Sequence, residues 1–269
     1  MTETLFESQT FTPAQIKAID HYLNISRSDE QADLSQLNQL IAHYASTVPF
    51  ENISVQNKVP IDVKLESLFH KIVECRRGGY CYEMNTFFKH YLLYKGYDAY
   101  NVSATIHTPD GWSREGSHMS LLVQLDRLYV ADVGFGDLPL QALPIMSEDE
   151  AVVIHDVNGQ YRAVERDNGF VVQKLKEGEF QTLYRAEFEP RDLSYFDDNL
   201  YYNQHNPDSI FVKKLIITLP LSDGRVTMSD RNLTITKQGK KEVQAVTKDN
   251  YRQFLNDYFG MDVAINKWE

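Results

Sequence analysis

Arg77-Gly78-Gly79-Tyr80-Cys81-Tyr82-Glu83-Met84-Asn85-Thr86-Phe87-Phe88-Lys89-His90-Tyr91-Leu92 is the stretch from which the rest of the chain is read. Met84, Phe87, Phe88, Tyr91 and Leu92 recur at helical spacing, and Gly96 suits a helix stop. Cys81 therefore falls in the first turn of a helix, behind a Gly-Gly pair that reads as flexible. The positive end of the helix dipole favours a thiolate at that position. A sulfur placed there suits nucleophilic attack better than filling a core.

Upstream of this helix the chain reads as helical. Thr12-Pro13 supplies an N-cap and a proline at the first helical position, followed by Ile16, Ile19, Tyr22 and Leu23. Asp33 can cap a second helix carrying Leu34, Leu37, Leu40, Ile41 and Tyr44, and Leu65, Leu68, Phe69 and Ile72 mark a third. Val48-Pro49-Phe50-Glu51-Asn52-Ile53 reads as an extended link shaped by its proline.

Downstream, from about residue 98, the period drops to two. Tyr100, Val102, Ala104 and Ile106 alternate, then Met119, Leu121, Val123 and Leu125, then Leu128 and Val130. Further strands are expected at Ala151–Ile154, Tyr161–Val164, Phe170–Lys174 and Thr182–Ala186, which together suggest a small barrel or sandwich. The last segment is mixed. Phe211–Leu219, Arg225–Met228 and Leu233–Thr236 read as strands, with Asp223-Gly224 as a hairpin turn. A closing helix carries Tyr251, Phe254, Leu255, Tyr258 and Phe259, with Thr247 as cap and Gly260 as stop. Helices followed by strands and then a mixed unit make the chain α+β, divided at 1–97, 98–200 and 201–269.

Composition narrows the function. A net charge of −11 argues against nucleic acid as a partner, because phosphate binding needs a basic face. No apolar run approaches the roughly 20 residues that span a bilayer. The opening Met1–Glu7 lacks the basic and apolar regions of a signal peptide, so a cytoplasmic location without membrane attachment is expected. Two cysteines, Cys75 and Cys81, are too few for a zinc site without HxxxH spacing, so no metal is expected and both should be free thiols. Cys75 is expected to pack. The 16 Tyr and 14 Phe suit both a core and an aryl-binding cleft.

A nucleophilic thiol needs a base, and the base needs an orienter. His118 begins the strand His118-Met119-Ser120-Leu121, just after the turn-rich loop Thr108–Trp112. Asp132 lies in Leu128-Tyr129-Val130-Ala131-Asp132-Val133-Gly134-Phe135-Gly136, where an acid in an apolar strand needs a partner. A turn near Leu125–Arg127 would run the two strands antiparallel and bring His118 within a register step or two of Asp132. Taken singly, each is more often an ordinary residue: a small core cysteine, a structural histidine, an aspartate capping a turn. In the order Cys, His, Asp they make a candidate triad. Arg77 could pair with Glu51 and hold the two loops together.

These residues resemble the arylamine N-acetyltransferase family. Arg77-Gly78-Gly79-Tyr80-Cys81 is similar to its nucleophile motif, and Pro49-Phe50-Glu51-Asn52-Ile53 to its Pro-Phe-Glu-Asn-Leu segment. Ser117-His118-Met119-Ser120-Leu121 resembles the strand with the catalytic His, and Asp132-Val133-Gly134-Phe135-Gly136 its Asp-Val-Gly-Phe-Gly motif. The likeness is strong over about residues 40 to 136. It is weaker at Asn206-Pro207-Asp208-Ser209-Ile210-Phe211, which looks like a cofactor-side segment.

The resemblance implies an N-terminal helical bundle, a central β-barrel and a C-terminal α/β lid around a cysteine-protease-like Cys-His-Asp core. It implies ping-pong transfer of an acetyl group from acetyl-CoA, as co-substrate, to an arylamine or arylhydrazine, with a role in xenobiotic metabolism. Cys81 would be the acetylated nucleophile, His118 the base and then acid, and Asp132 the orienter. Phe50, Phe135 and Gly136 would lie on the acceptor side, and Ser117, Tyr202 and Ser209 on the cofactor side. Arg114 and Glu115 stand where family members often have small residues near the CoA phosphates. The competing reading is a cysteine amidase or transglutaminase-like hydrolase using the same triad. A binding module with a sluggish thiol is a third.

Overall fold

The computed structural model describes residues 10–26 and 31–269, so the Met1–Glu7 stretch lies outside the described residues. Local capping starts the first two helices. In α1 (Pro13–Tyr22), Gln15 N–H donates to Thr12 Oγ1 at 3.2 Å and Thr12 N–H to Gln15 Oε1 at 2.9 Å. In α2 (Leu34–Thr47), Gln36 N–H donates to Asp33 Oδ1 at 2.9 Å. The proline link is more ordered than its sequence suggests. It holds a two-residue strand, β1 (Phe50–Glu51), and a single helical turn, α3 (Ile53–Gln56). The third expected helix is α4 (Leu65–Phe69), which runs on as a π-helical turn over His70–Glu74. Helix α5 (Cys81–Tyr94) begins at the thiol, as its periodicity requires.

Gly78 and Gly79 serve close contact rather than flexibility. Positive φ, which glycine would tolerate best, occurs at neither. A Cβ on Gly78 would sit 1.6 Å from the Pro49 carbonyl oxygen, and one on Gly79 2.6 Å from the Glu83 carboxylate. Glu51 N–H donates to Gly79 O at 2.8 Å, so β1 lies directly against the turn that precedes Cys81.

The period-two region closes into a barrel. Its strands are β2 (Asp98–Thr108), β4 (His118–Gln124), β5 (Leu128–Val130), β6 (Leu143–Met146), β8 (Gly159–Arg166), β9 (Gly169–Lys176) and β10 (Glu179–Pro190). They neighbour in the order β10-β9-β8-β6-β5-β4-β2, and β2 pairs back to β10 through Ile106 and Tyr184. Every barrel pairing is antiparallel except β6 with β8. Short β3 (Gly111–Trp112) and β7 (Ile154–Asp156) hang on β2 and β8. Val102, Ala104, Leu122, Val130 and Val172 fill the interior. One expected strand is corrected here. Ala151–Val153 is irregular after a 3₁₀ turn at Glu148–Glu150, and only Ile154 of that segment is in a strand.

The C-terminal unit is an antiparallel sheet with a helix. After α6 (Asp197–His205) and α7 (Ile210–Lys213) come β11 (Ile217–Leu221), β12 (Gly224–Met228), β13 (Asn232–Lys237) and β14 (Lys240–Ala245). β1 joins the free edge of β11, giving the order β1-β11-β12-β13-β14. The expected strand at Phe211–Leu219 is therefore corrected: its first part is helical, because Ser209 Oγ accepts from Phe211 N–H at 3.2 Å and starts a turn. The hairpin turn also moves by one residue. Gly224 pairs with Leu221, leaving Ser222-Asp223 as the turn. Helix α8 (Tyr251–Phe259) starts at Tyr251, not after Thr247, whose N–H bonds Asn250 Oδ1 at 2.7 Å in a preceding turn. Gly260, at φ +63, ends it.

One apolar cluster links α2, α5 and the outer face of β4, through Tyr44, Phe87, Phe88, Met119 and Leu121. Helix α5 is thus wedged between bundle and barrel, and its first two turns are buried on all sides. Among the described residues, no helix is long and apolar enough to cross a membrane.

Candidate active site

Three elements converge on Cys81. It opens α5 and is 3% exposed. His118 opens β4 and Asp132 follows β5, and the β4–β5 hairpin turns at Leu125–Arg127 as its sequence requires. His118 Nε2 lies 2.6 Å from Asp132 Oδ2, with both side chains buried. That contact leaves Nδ1 for the thiol, and Cys81 lies near enough to the imidazole to help raise it. The three candidate residues are therefore brought together.

Electrostatics fix the protonation of this pair. Burial would push the imidazole down. The adjacent Asp132 charge and its hydrogen bond outweigh burial, with Cys81 adding a smaller share, and raise His118 from 6.5 to about 10. Asp132 behaves conversely. Burial would raise it, but the His118 charge and the hydrogen bonds it accepts hold the carboxyl below its usual range.

Asp132 is more fully held than sequence reasoning anticipates. Oδ1 accepts from Asn85 Nδ2 and from Gly134 N–H, each at 2.8 Å. Oδ2 accepts from Tyr184 Oη at 3.1 Å as well as from His118. Asn85 Nδ2 also donates to Met119 O at 2.7 Å, and Asn85 Oδ1 accepts from Val133 N–H at 3.0 Å. Asn85 was missed, although a polar residue one turn beyond Cys81 on an apolar helix is a signal that could have found it. Tyr184 left no such signal, since β10 reaches the site only through barrel closure.

The surrounding turns are built for close approach. A Cβ on Gly134 would lie 2.7 Å from Cys81 Cα, so the strand end runs against the nucleophile's own backbone. Behind the thiol, Arg77 donates to Glu51 Oε1 from Nε at 2.9 Å and from Nη2 at 2.7 Å. Lys71 Nζ lies 2.6 Å from Glu83 Oε1. Glu83 Oε2 accepts from Tyr80 N–H at 3.4 Å at the start of α5. The expected Arg77–Glu51 pair is present and extends to a second buried carboxylate.

A cleft of about 580 Å³ opens beside the triad, with Phe50, Phe135, Gly136, Phe211, Lys174 and Arg225 in its wall. The Phe135 ring is 5.4 Å from His118. Of the three residues read as cofactor-side, Ser117 bonds Tyr82, the residue after the nucleophile, and Ser209 connects to it through Asn203. Tyr82 Oη donates to Ser117 O at 3.0 Å and accepts from Asn203 Nδ2 at 3.4 Å. Ser209 Oγ donates to Asn203 O at 3.2 Å, and Ser209 is buried, so its hydroxyl is engaged within the protein. The Tyr202 ring carries the Arg114 guanidinium at 5.1 Å, and Glu115 pairs with Arg185 at 2.7 Å. Cys75 is exposed, which corrects the expectation that it packs. Among the described residues, no group of three His, Cys, Asp or Glu side chains could hold a metal ion.

Comparison with known proteins agrees with this geometry. A family model described as N-acetyltransferase matches residues 33–268. An arylamine N-acetyltransferase from Mycolicibacterium smegmatis is 30% identical over 242 residues, covering 86% of each chain. The solved arylamine N-acetyltransferase of Bacillus cereus, described as having a unique Cys-His-Glu catalytic triad, superposes with a TM-score of 0.85. It is 27% identical and covers 94% of this chain and 100% of its own. That of Mycobacterium marinum in complex with CoA superposes at 0.84, with 27% identity over 92% of this chain and 93% of its own.

Proposed function

Because the chain belongs to the arylamine N-acetyltransferase family, an acyltransferase family, we propose that it moves the acetyl group of acetyl-CoA onto an aromatic amine or hydrazine through an acetyl-cysteine at Cys81. The observation that carries this reading is the buried contact of Cys81, His118 and Asp132 at the head of α5, beside a cleft walled by Phe50 and Phe135.

In the first half-reaction the Cys81 sulfur attacks the acetyl thioester carbon and its proton is held by His118. The oxyanion is met by backbone N–H groups, that of Cys81 in the first helical turn among them. CoA leaves as the thiol. In the second half-reaction an aryl amine, neutral near pH 7, attacks the acetyl-cysteine, and the Asp132-oriented imidazole handles the proton. Aromatic walls bury the ring at roughly 25 cal/mol per Å².

The three units at 1–97, 98–200 and 201–269 divide this work: nucleophile, base with orienter, and cover. Phe50, Phe135 and Gly136 are proposed on the acceptor side. Ser117, Tyr202 and Ser209 are proposed toward CoA, the complex of the Mycobacterium marinum protein being the precedent for the ligand. A cytoplasmic setting suits the two free thiols, and xenobiotic metabolism is the role proposed with it.

Steady-state kinetics test the reading. Acetyl-CoA and arylhydrazine varied together should give parallel double-reciprocal lines and acetylated hydrazine as product. Release of free acetate at the same rate, indifferent to the hydrazine, would favour the hydrolase instead.

A further inference from the structure

The chain carries a second thiol–imidazole–carboxylate arrangement, on the opposite kind of site. Cys75 Sγ lies 3.4 Å from His70 Nε2, and His70 Nδ1 lies 2.6 Å from Glu74 Oε2. All three side chains are exposed, His70 at 67% and Glu74 at 56%. The π-helical turn makes the contact possible. Residues five apart point away from each other on an α-helix. Here the ring is widened to i→i+5 bonding, with Cys75 N–H donating to His70 O at 2.9 Å, and the thiol comes round over the imidazole. Such single π turns are rare and recur at functional positions.

The hydrogen bonds also fix the tautomer. Nε2 faces the S–H and accepts from it, so Nδ1 carries the ring proton and donates to Glu74. This is the order of roles that activates a nucleophilic sulfur: base against the thiol, carboxylate behind the base.

We propose that Cys75 is a redox-modification site that forms a mixed disulfide with a low-molecular-weight disulfide. The Cys75 S–H proton passes to His70 Nε2 as Sγ attacks one sulfur of the reagent. The reagent's S–S bond breaks and a new Cys75 Sγ–S bond forms. The departing thiolate takes the proton back from His70 and leaves as the thiol, so the protein sulfur is oxidised and the reagent reduced. The adduct is reversible by excess thiol. Cys81, the other cysteine of the chain, is buried in its own site.

The test uses the full chain with Cys81→Ala, so that one thiol remains, and dithiobis(nitrobenzoate) or oxidised glutathione as the probe. The adduct should map to Cys75, and His70→Ala should slow its formation roughly tenfold or more. Glu74→Gln should slow it by less. Reading the label on the Cys75 peptide of the unsubstituted chain gives the same comparison without relying on the folding of Cys81→Ala. Equal rates with and without His70, or a Cys75 that reacts no faster than the same thiol in the unfolded chain, would overturn the proposal.

Discussion

The Tyr184 phenol and the His118 ring donate to one oxygen, Asp132 Oδ2, at 3.1 and 2.6 Å. Ser120 Oγ lies 3.1 Å from the same phenol, and burial keeps Tyr184 protonated by pushing it far above its ordinary range. The carboxylate that orients the imidazole is thus itself anchored from a strand on the far side of the barrel seam.

Tyr184→Phe keeps the ring and removes this anchor. A hydrogen bond to a charged group is worth about 1.5–3 kcal/mol, so kcat/KM for acetyl transfer should fall roughly 10- to 100-fold. Turnover measured on folded variant at the unsubstituted rate would remove Tyr184 from the site.

The pH dependence of stability follows from His118. Its folded value is raised from 6.5 to about 10, so its contribution is whole below about 6.5, shrinks as pH rises, and is gone above about 10. Asp132, lowered in the fold, acts at the other end: its contribution is lost as the pH falls through its folded value. Thermal melts from pH 6.5 to 10 should show a decline in Tm that His118→Gln flattens. A variant declining in parallel with the parent would contradict the assignment.

Glu51 is buried between Arg77 and Lys71, at 2.7 and 3.8 Å. Glu51→Gln leaves Arg77 without its charge partner, while Lys71 keeps Glu83 at 2.6 Å, and should cost about 3–5 kcal/mol. Chemical denaturation measures it. Lys213→Ala, which breaks an exposed pair with Asp208, is the control and should cost under about 1 kcal/mol.

Gly134→Ala would place a methyl 2.7 Å from Cys81 Cα and 2.8 Å from Asn85 Nδ2. Overpacking of this kind costs about 1–3 kcal/mol. Because the displaced atoms are the nucleophile's own backbone and the Asp132 anchor, acetylation of Cys81 should suffer beyond that loss of stability. A variant with lowered Tm and unchanged acetylation rate would show that the close approach serves packing alone.

Local chemistry made much of this legible. Cys81, its helix and the β4–β5 hairpin are specified within short windows by apolar period, a glycine stop and a turn, and the His118–Asp132 pairing follows from hairpin geometry. What escaped is non-local or lacks a pattern. Tyr184 comes 52 residues after Asp132 and arrives only because β10 pairs with β2. The outer strand β14 begins Lys240-Lys241-Glu242, exposed and charged as an edge strand tends to be, and so shows no apolar alternation. The turn at Ile210–Lys213 is too short for a helical period to declare itself. Gly78 and Gly79 read as flexible in the sequence, because their actual reason, contact with Pro49 and Glu83, belongs to the folded chain.

The most direct test is the intact mass of the protein after incubation with acetyl-CoA alone. The account requires one added acetyl group, located on Cys81, absent from Cys81→Ala, retained in Cys75→Ala and discharged when an arylhydrazine is added. An unmodified protein, or an acetyl group that persists in Cys81→Ala, would contradict it.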